Sequence, residues 1–216
     1  MKRIAVIIGI LSIQSTLQAR PQIFLGGNFG MLSANKEAKD GLTGGVQIGV
    51  QGKHIGASLS AYGYSKSNEA RLLSKGTIQL MPFMLNPYVR IPISGKNGNE
   101  VAAFRLGGGA GYVSANHTLN HSVNEELNRG IPLGFGGFYY QESVDSGIGY
   151  QAGGGFDIWI TRRISIGADV QYLIFRTQAK GTLIVQSPFS GTTISHATAD
   201  INLDSVVAMA AVKFHF

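Results

Sequence analysis

Apolar and polar residues alternate along this chain with a period of two, segment after segment. Ile23, Leu25, Phe29 and Met31 form one apolar set, with Gln22, Gly26, Asn28 and Gly30 opposite. Leu42, Val46, Ile48 and Val50 come next, then Ile55, Ala57, Leu59 and Ala61. Further runs cover Met81 to Ile91, Ala102 to Tyr112, Ile148 to Ile160, Ile164 to Ile174 and Val206 to Phe216. Successive strand side chains point to opposite faces, so each run predicts a strand with one apolar face. Each is about ten residues long, the length a tilted strand needs to cross a bilayer. No segment sustains a helical period. The pattern predicts an all-β, antiparallel, up-and-down transmembrane barrel of eight strands. Extra strand-like pieces in the loops leave ten strands as an alternative.

The connections alternate in length. Gly52-Lys53-His54, Ser94 to Asn99 and Thr161-Arg162-Arg163 are short, whereas Ser33 to Gly41, Ser65 to Ser74 and Ala115 to Ser146 are long and polar. Short turns on one side and long loops on the other is the habit of outer-membrane barrels. After Phe175 the final hairpin is expected to run past the membrane. Gln186 pairs with Thr192 around the tip 187–191, which places Ile174 opposite Asp204 and Ile164 opposite Phe214. That register puts Asp204 on the outward face. Pro82, Pro87 and Pro92 fit a paired strand poorly, and Pro87 is expected at a bulge or kink.

The opposite face carries Gln47, Gln51, Arg90, Arg105, Gln151, Asp157, Asp169 and Lys213. A charge facing hydrocarbon near mid-bilayer costs roughly 2–4 kcal/mol, so these belong inside. An eight-stranded interior is just wide enough for side chains to fill. Arg90, Arg105 and Lys213 are therefore expected to pair there with Asp157 and Asp169, with Gly107, Gly109, Gly153 and Gly155 making room. Aromatics fall toward both ends of the outward face, as headgroup-depth rings do.

Composition narrows the classes. Charged residues make up 14% and glycine numbers 30, which suits strands and tight turns. Cysteine is absent, which excludes disulfides, thiolate metal sites, a cysteine nucleophile and a lipoprotein anchor. The net charge is +6, of which Lys2 and Arg3 supply two, leaving +4 without them. The remaining basic residues form no dense run with interleaved aromatics, so a nucleic-acid partner is not expected. Lys2 and Arg3, the apolar stretch Ile4 to Ile13 and the polar end at Ala19 read as a signal peptide over 1–19, leaving a barrel domain over 20–216.

Three segments resemble a known family: GGGAGY at 107–112, GGGFDIWITRRISIGADVQYLIF at 153–175, and the terminal VKFHF. They are similar to the small outer-membrane barrels of the OmpA-, OmpX- and OmpW-like kind. The resemblance implies export through the Sec pathway and residence in a bacterial outer membrane among lipids and lipopolysaccharide. It also implies recognition by the barrel-assembly machinery through Val212, Phe214 and Phe216. Members differ widely in activity, so the fold does not settle function.

Candidate chemistry is sparse, and neither a cofactor nor a metal is expected. The Gly107 to Gly111 run lacks the strand-turn-helix context of a phosphate loop. His117, His121 and Glu125 are spaced four apart and would share a face only on a helix. Asp157 and Asp169 read as ion-pair partners before a catalytic dyad, and His196 lacks a placeable acid for a lipid-modifying rim enzyme. The leading expectation is a non-enzymatic barrel with a filled polar interior. Its loops would meet an extracellular ligand or host protein through Phe135, Phe138, Tyr139, Tyr140 and Phe189. The alternative is a narrow channel or conduit for small hydrophobic molecules, using the glycine-rich strands and the Pro87 kink.

Overall fold

A computed structural model describes residues 21–34, 41–68, 76–96, 98–129 and 136–216. The expected signal segment and Phe135 lie outside these.

Eight strands close a barrel: β1 (Gln22–Ala34), β2 (Gly41–Gln51), β3 (Ile55–Asn68), β4 (Gly76–Ser94), β5 (Glu100–Leu119), β7 (Gly147–Trp159), β8 (Ile164–Ile174) and β11 (Ser205–His215). Every pairing is antiparallel, and β1 meets β11 to complete the wall. Closure leaves no free edge within the wall, the condition hydrocarbon imposes on a spanning sheet. The strand-like pieces behind the ten-strand alternative do not enter the wall. They form a separate sheet in the order β10 (Gly191–Asn202), β9 (Arg176–Ser187), β6 (Gly137–Val144). One short helix, α1 (His121–Leu127), precedes β6.

Period-two alternation is visible directly in burial: along β11 buried and exposed residues alternate without a break. Leu25, Ile48, Leu59, Leu85, Leu106 and Val170 stand exposed on the outside although they are apolar. An apolar outer belt around a closed sheet is stable only against lipid.

The final hairpin has the expected register. Thr192 pairs with Gln186, and Phe214 with Ile164. Asp204 departs from the expectation, because it is buried rather than outward. Pairing breaks between the barrel strands and their extensions, and the break turns Asp204 inward. Its carboxylate accepts a 2.9 Å hydrogen bond from the Phe175 backbone N–H, while Leu203 N–H donates to Phe175 C=O at 2.9 Å.

Strand β4 accommodates its prolines by local gaps. Pairing with β3 is interrupted between Ala61–Phe83 and Tyr64–Leu80, where Pro82 sits. Pairing with β5 is interrupted between Leu85–Ala110 and Tyr88–Gly107, where Pro87 sits. Proline has no N–H to give a ladder, so the loss falls at these residues. Register is unchanged across both gaps. The shift in this strand occurs at Ile93/Ser94, not at Pro87.

Candidate functional site

The interior is layered along the barrel axis. Its floor, toward the short turns, is an ion cluster. Asp157 is wholly buried; its Oδ1 accepts from Lys213 Nζ at 2.7 Å, and its Oδ2 lies 2.6 Å from Arg105 Nε. Arg105 Nη2 also donates to Asp169 Oδ1 at 2.9 Å and Oδ2 at 3.0 Å. These side chains come from β5, β7, β8 and β11, so the cluster ties together strands far apart in sequence. Two glycines make the fit possible. A Cβ at Gly155 would collide with the Asp169 carboxylate, and one at Gly167 with that of Asp157. Removing one member of such a buried pair typically costs about 3–5 kcal/mol, because the other charge is stranded.

Arg90 does not join this group, contrary to the sequence expectation. It pairs with Glu100, and its guanidinium lies over the Trp159 ring, 4.9 Å from the centroid. It sits nearer the short turns, where Glu100 is the first residue of β5. Glu100 and Trp159 were not singled out from sequence, since neither stands out on a strand without its register.

Beside the cluster, Ser165 Oγ lies 2.8 Å from His215 Nε2, and Gln51 Nε2 lies 3.3 Å from His215 Nδ1. An amide nitrogen can only donate, so Nδ1 accepts and the Nε2–H is directed to Ser165. The hydroxyl is then an acceptor, and the imidazole is not placed to take its proton. All three residues are buried, which suits a packed polar plug rather than a nucleophile.

Above the floor, Tyr62 Oη donates to Gln151 Oε1 at 2.8 Å, Gln151 bonds Asn86, and Asn86 Nδ2 donates to Ser60 Oγ at 2.9 Å. A cavity of about 50 Å³ lies here, bounded by Gln151, Asn86 and Ser60 and by Asn28, Gln47, Tyr88 and Gln171. It is far too small for an organic ligand and matches roughly three or four waters.

The outer half of the lumen is mainly apolar, with Thr43, Asp204 and Ser205 as buried polar exceptions. Leu32, Met84, Val113, Leu173 and Val207 fill it, with Tyr62 and Met209 at its lower boundary. The same cluster continues upward through Tyr64, Ile78 and Leu80 to Phe175 and to Ala179 and Ile201 on the second sheet. The expectation of a polar interior therefore holds only for the lower half. These residues occupy inward parity positions, where alternation alone leads one to expect polar side chains.

Near Pro82 two members of this core also line a cleft on the outside of the wall. An outer cleft of about 380 Å³ lies along the interrupted β3–β4 seam, lined by Leu42, Gly63, Met81 and Gln79. It is also lined by Tyr64 and Leu80, members of the buried cluster.

The extracellular candidates are spread over two places. Phe138, Tyr139 and Tyr140 lie on β6, with Tyr139 half exposed, and Phe189 stands fully out at the β9–β10 tip. The free edge of β6 is capped from α1. Asn124 exchanges two hydrogen bonds with the Tyr140 backbone, at 3.3 and 2.9 Å. Asn128 does the same with Phe138, at 2.7 and 2.8 Å. The i,i+4 spacing on a helix matches every second residue on a strand, so two amides imitate a neighbouring strand.

His117, His121 and Glu125 do not converge. His117 is buried on β5, 3.5 Å from Glu142, while His121 and Glu125 are exposed on α1, 3.7 Å apart. The last β5–β7 pair is Val113–Gly147, so His117 lies beyond the closed wall. Burial there pulls its pKa below the ordinary value, and Glu142 opposes that shift. Among the described residues no three His, Asp or Glu side chains form a metal-binding group. The terminal residues Val212, Phe214 and Phe216 all face outward, and Phe216 N–H donates to Ile23 C=O at 2.9 Å.

A closed eight-stranded wall with an apolar outer belt, a charge-locked floor and short turns on one side defines a small β-barrel of the bacterial outer membrane. Among solved structures the chain is similar to the outer membrane protein OprG of Pseudomonas aeruginosa, with a TM-score of 0.66 and 16% identity over 92% of this chain and 97% of that one. It also matches Neisserial surface protein A (TM-score 0.49, 10% identity, 91% and 97% covered). A further match is outer membrane protein W of E. coli (TM-score 0.46, 15% identity, 93% and 100% covered). No protein-family model and no curated protein matches the chain.

Proposed function

We propose that this barrel is a lateral conduit for small apolar molecules, taking them from the cell exterior into the membrane. The observation that carries the reading is the division of the lumen. The outer half is mainly apolar, the inner half is closed by buried ion pairs, and Tyr64 and Leu80 of the apolar part line an outer cleft beside the interrupted β3–β4 ladder. A hydrated solute gains nothing from the outer half and meets a sealed floor. An apolar one is at home in the outer half, since each buried CH₂ is worth about 0.8 kcal/mol, and its nearest exit is sideways. The core side chains fill the path at rest, so passage requires Tyr64 and Leu80 to shift at the interrupted ladder. This is gating of a protein that makes and breaks no bonds in its cargo.

The test locks the seam. Gly63 and Met81 are opposite in register across the gap, and a Cβ at Gly63 meets nothing within 4 Å. A Gly63→Cys/Met81→Cys protein should form a disulfide, since the chain has no other cysteine. Uptake of a small apolar fluorophore into proteoliposome membranes should fall when the lock is oxidised and recover on reduction. Uptake equal in both states, or equal to that of empty vesicles throughout, overturns the proposal. Planar-bilayer recordings of the native protein should show no steady ion conductance.

A second reading is supported by the exposed sheet carrying Tyr139 and Phe189: an extracellular ligand or host protein docks there. Deleting 133–140 should then abolish binding and leave the barrel folded.

A further inference from the structure

The second sheet has two outer edges, and the chain treats them differently. The β6 edge is capped by the Asn124 and Asn128 amides. The β10 edge has no partner among the described residues. Soluble and surface sheets usually blunt such an edge with lysine, proline, a bulge or a cover. Among the described residues, strand β10 from Gly191 to Ala199 shows none of these. It pairs with β9 over twelve consecutive residues without a register shift, and between Gly191 and Ala199 it has no formally charged residue and no proline. Residues 191–198 are exposed, including Ile194, yet Thr192, Thr193, Ile194 and Thr198 are β-branched residues that favour pairing.

We propose that the β10 edge pairs with the β10 edge of a second copy of this chain, joining two three-stranded sheets into one of six. The strand is self-complementary about His196. An antiparallel pairing centred there sets Ile194 opposite Thr198, Ser195 opposite Ala197, Thr193 opposite Ala199 and Thr192 opposite Asp200. No carboxylate meets a carboxylate. Even positions meet even positions, so the faces of the two sheets stay continuous. Main-chain hydrogen bonds supply the attraction, as in other strand-addition complexes.

The pairing has a direction. β9 and β10 continue β8 and β11 away from the barrel, with Gly191 at the far tip and Asn202 at the base. Antiparallel pairing sets each tip beside the other copy's base. The two barrels then lie at opposite ends of a shared ladder about 40 Å long, at roughly 3.4 Å per residue. Two barrels so placed belong to facing membranes, so the contact joins one cell surface to another.

The absence of cysteine makes the test direct. Full-length His196→Cys protein, folded in detergent, should form a disulfide-linked dimer under mild oxidation. Ser195→Cys and Ala197→Cys proteins should cross-link efficiently when mixed and much less when each is alone. Proteoliposomes carrying the native chain should cluster, read as turbidity. A Ser195→Lys/Ala197→Lys protein, which sets lysine opposite lysine, should cluster at least tenfold less. A Ser195→Lys/Ala197→Glu protein, which sets lysine opposite glutamate, should recover. These side chains are exposed, and an unchanged heat-dependent gel shift verifies each barrel. The proposal is overturned if neither cysteine test gives a dimer, if clustering ignores the lysines, or if the edge binds only a different protein's strand.

Discussion

Asp157→Ala tests whether the floor of the lumen is held by charge pairing. Asp157 is wholly buried and is shared by Lys213, itself 1% exposed, at 2.7 Å, and by Arg105 at 2.6 Å. Its removal leaves two buried cations with one carboxylate, Asp169, and that carboxylate is hydrogen-bonded to Arg105. Stranding the lysine should cost about 3–5 kcal/mol. At a urea slope of about 2 kcal/mol per molar, the unfolding midpoint should fall by about 2 M. Trp159 is the chain's only tryptophan and lies at this end of the barrel under Arg90, so its fluorescence in lipid vesicles reports the transition. Asp157→Leu/Lys213→Met removes the charges together and leaves Arg105 with Asp169. It should recover at least half of the loss, because apolar replacement of a whole buried pair is often neutral. A single substitution costing less than about 1 kcal/mol would refute the reasoning. So would a double substitution as damaging as the single one.

Three further outcomes are expected. Gly155→Ala should destabilise the barrel by about 1–3 kcal/mol in the same urea assay, since its methyl meets the Asp169 carboxylate. Asn124→Ala/Asn128→Ala should uncap β6; at about 1 kcal/mol per hydrogen bond lost, the Phe138 and Tyr140 amides should exchange with solvent at least tenfold faster while barrel amides do not. Burial lowers the His117 pKa in the folded state, so the neutral ring is favoured there. Its contribution is full above the unfolded value near 6.5 and is lost as pH falls below it. Protection of the β6 amides, measured against their intrinsic exchange rates at each pH, should therefore fall between pH 7.5 and 5, and His117→Asn should remove that dependence.

The sequence by itself determined the wall. Strand positions, the alternation of faces, the long and short connections and the register of the last hairpin all follow from local periodicity, because a strand's side chains reverse face at every residue. It also assigned Arg105, Asp157, Asp169 and Lys213 to the inside, since lipid excludes charge. What local pattern cannot report is which inward residues share a level, and that depends on strand tilt and stagger around the closed barrel. Only the tertiary structure moved Arg90 to Glu100 and Trp159, and turned Asp204 to the Phe175 amide. It alone gathered Leu32, Met84, Val113, Leu173 and Val207 into one apolar half of the lumen. Those residues come from five strands, and each looks like an isolated exception to its own strand's alternation. Pro82 is the same case: in sequence it is a strand-breaker, and only the β3–β4 register shows that the ladder is interrupted there, beside a cleft lined by Tyr64 and Leu80.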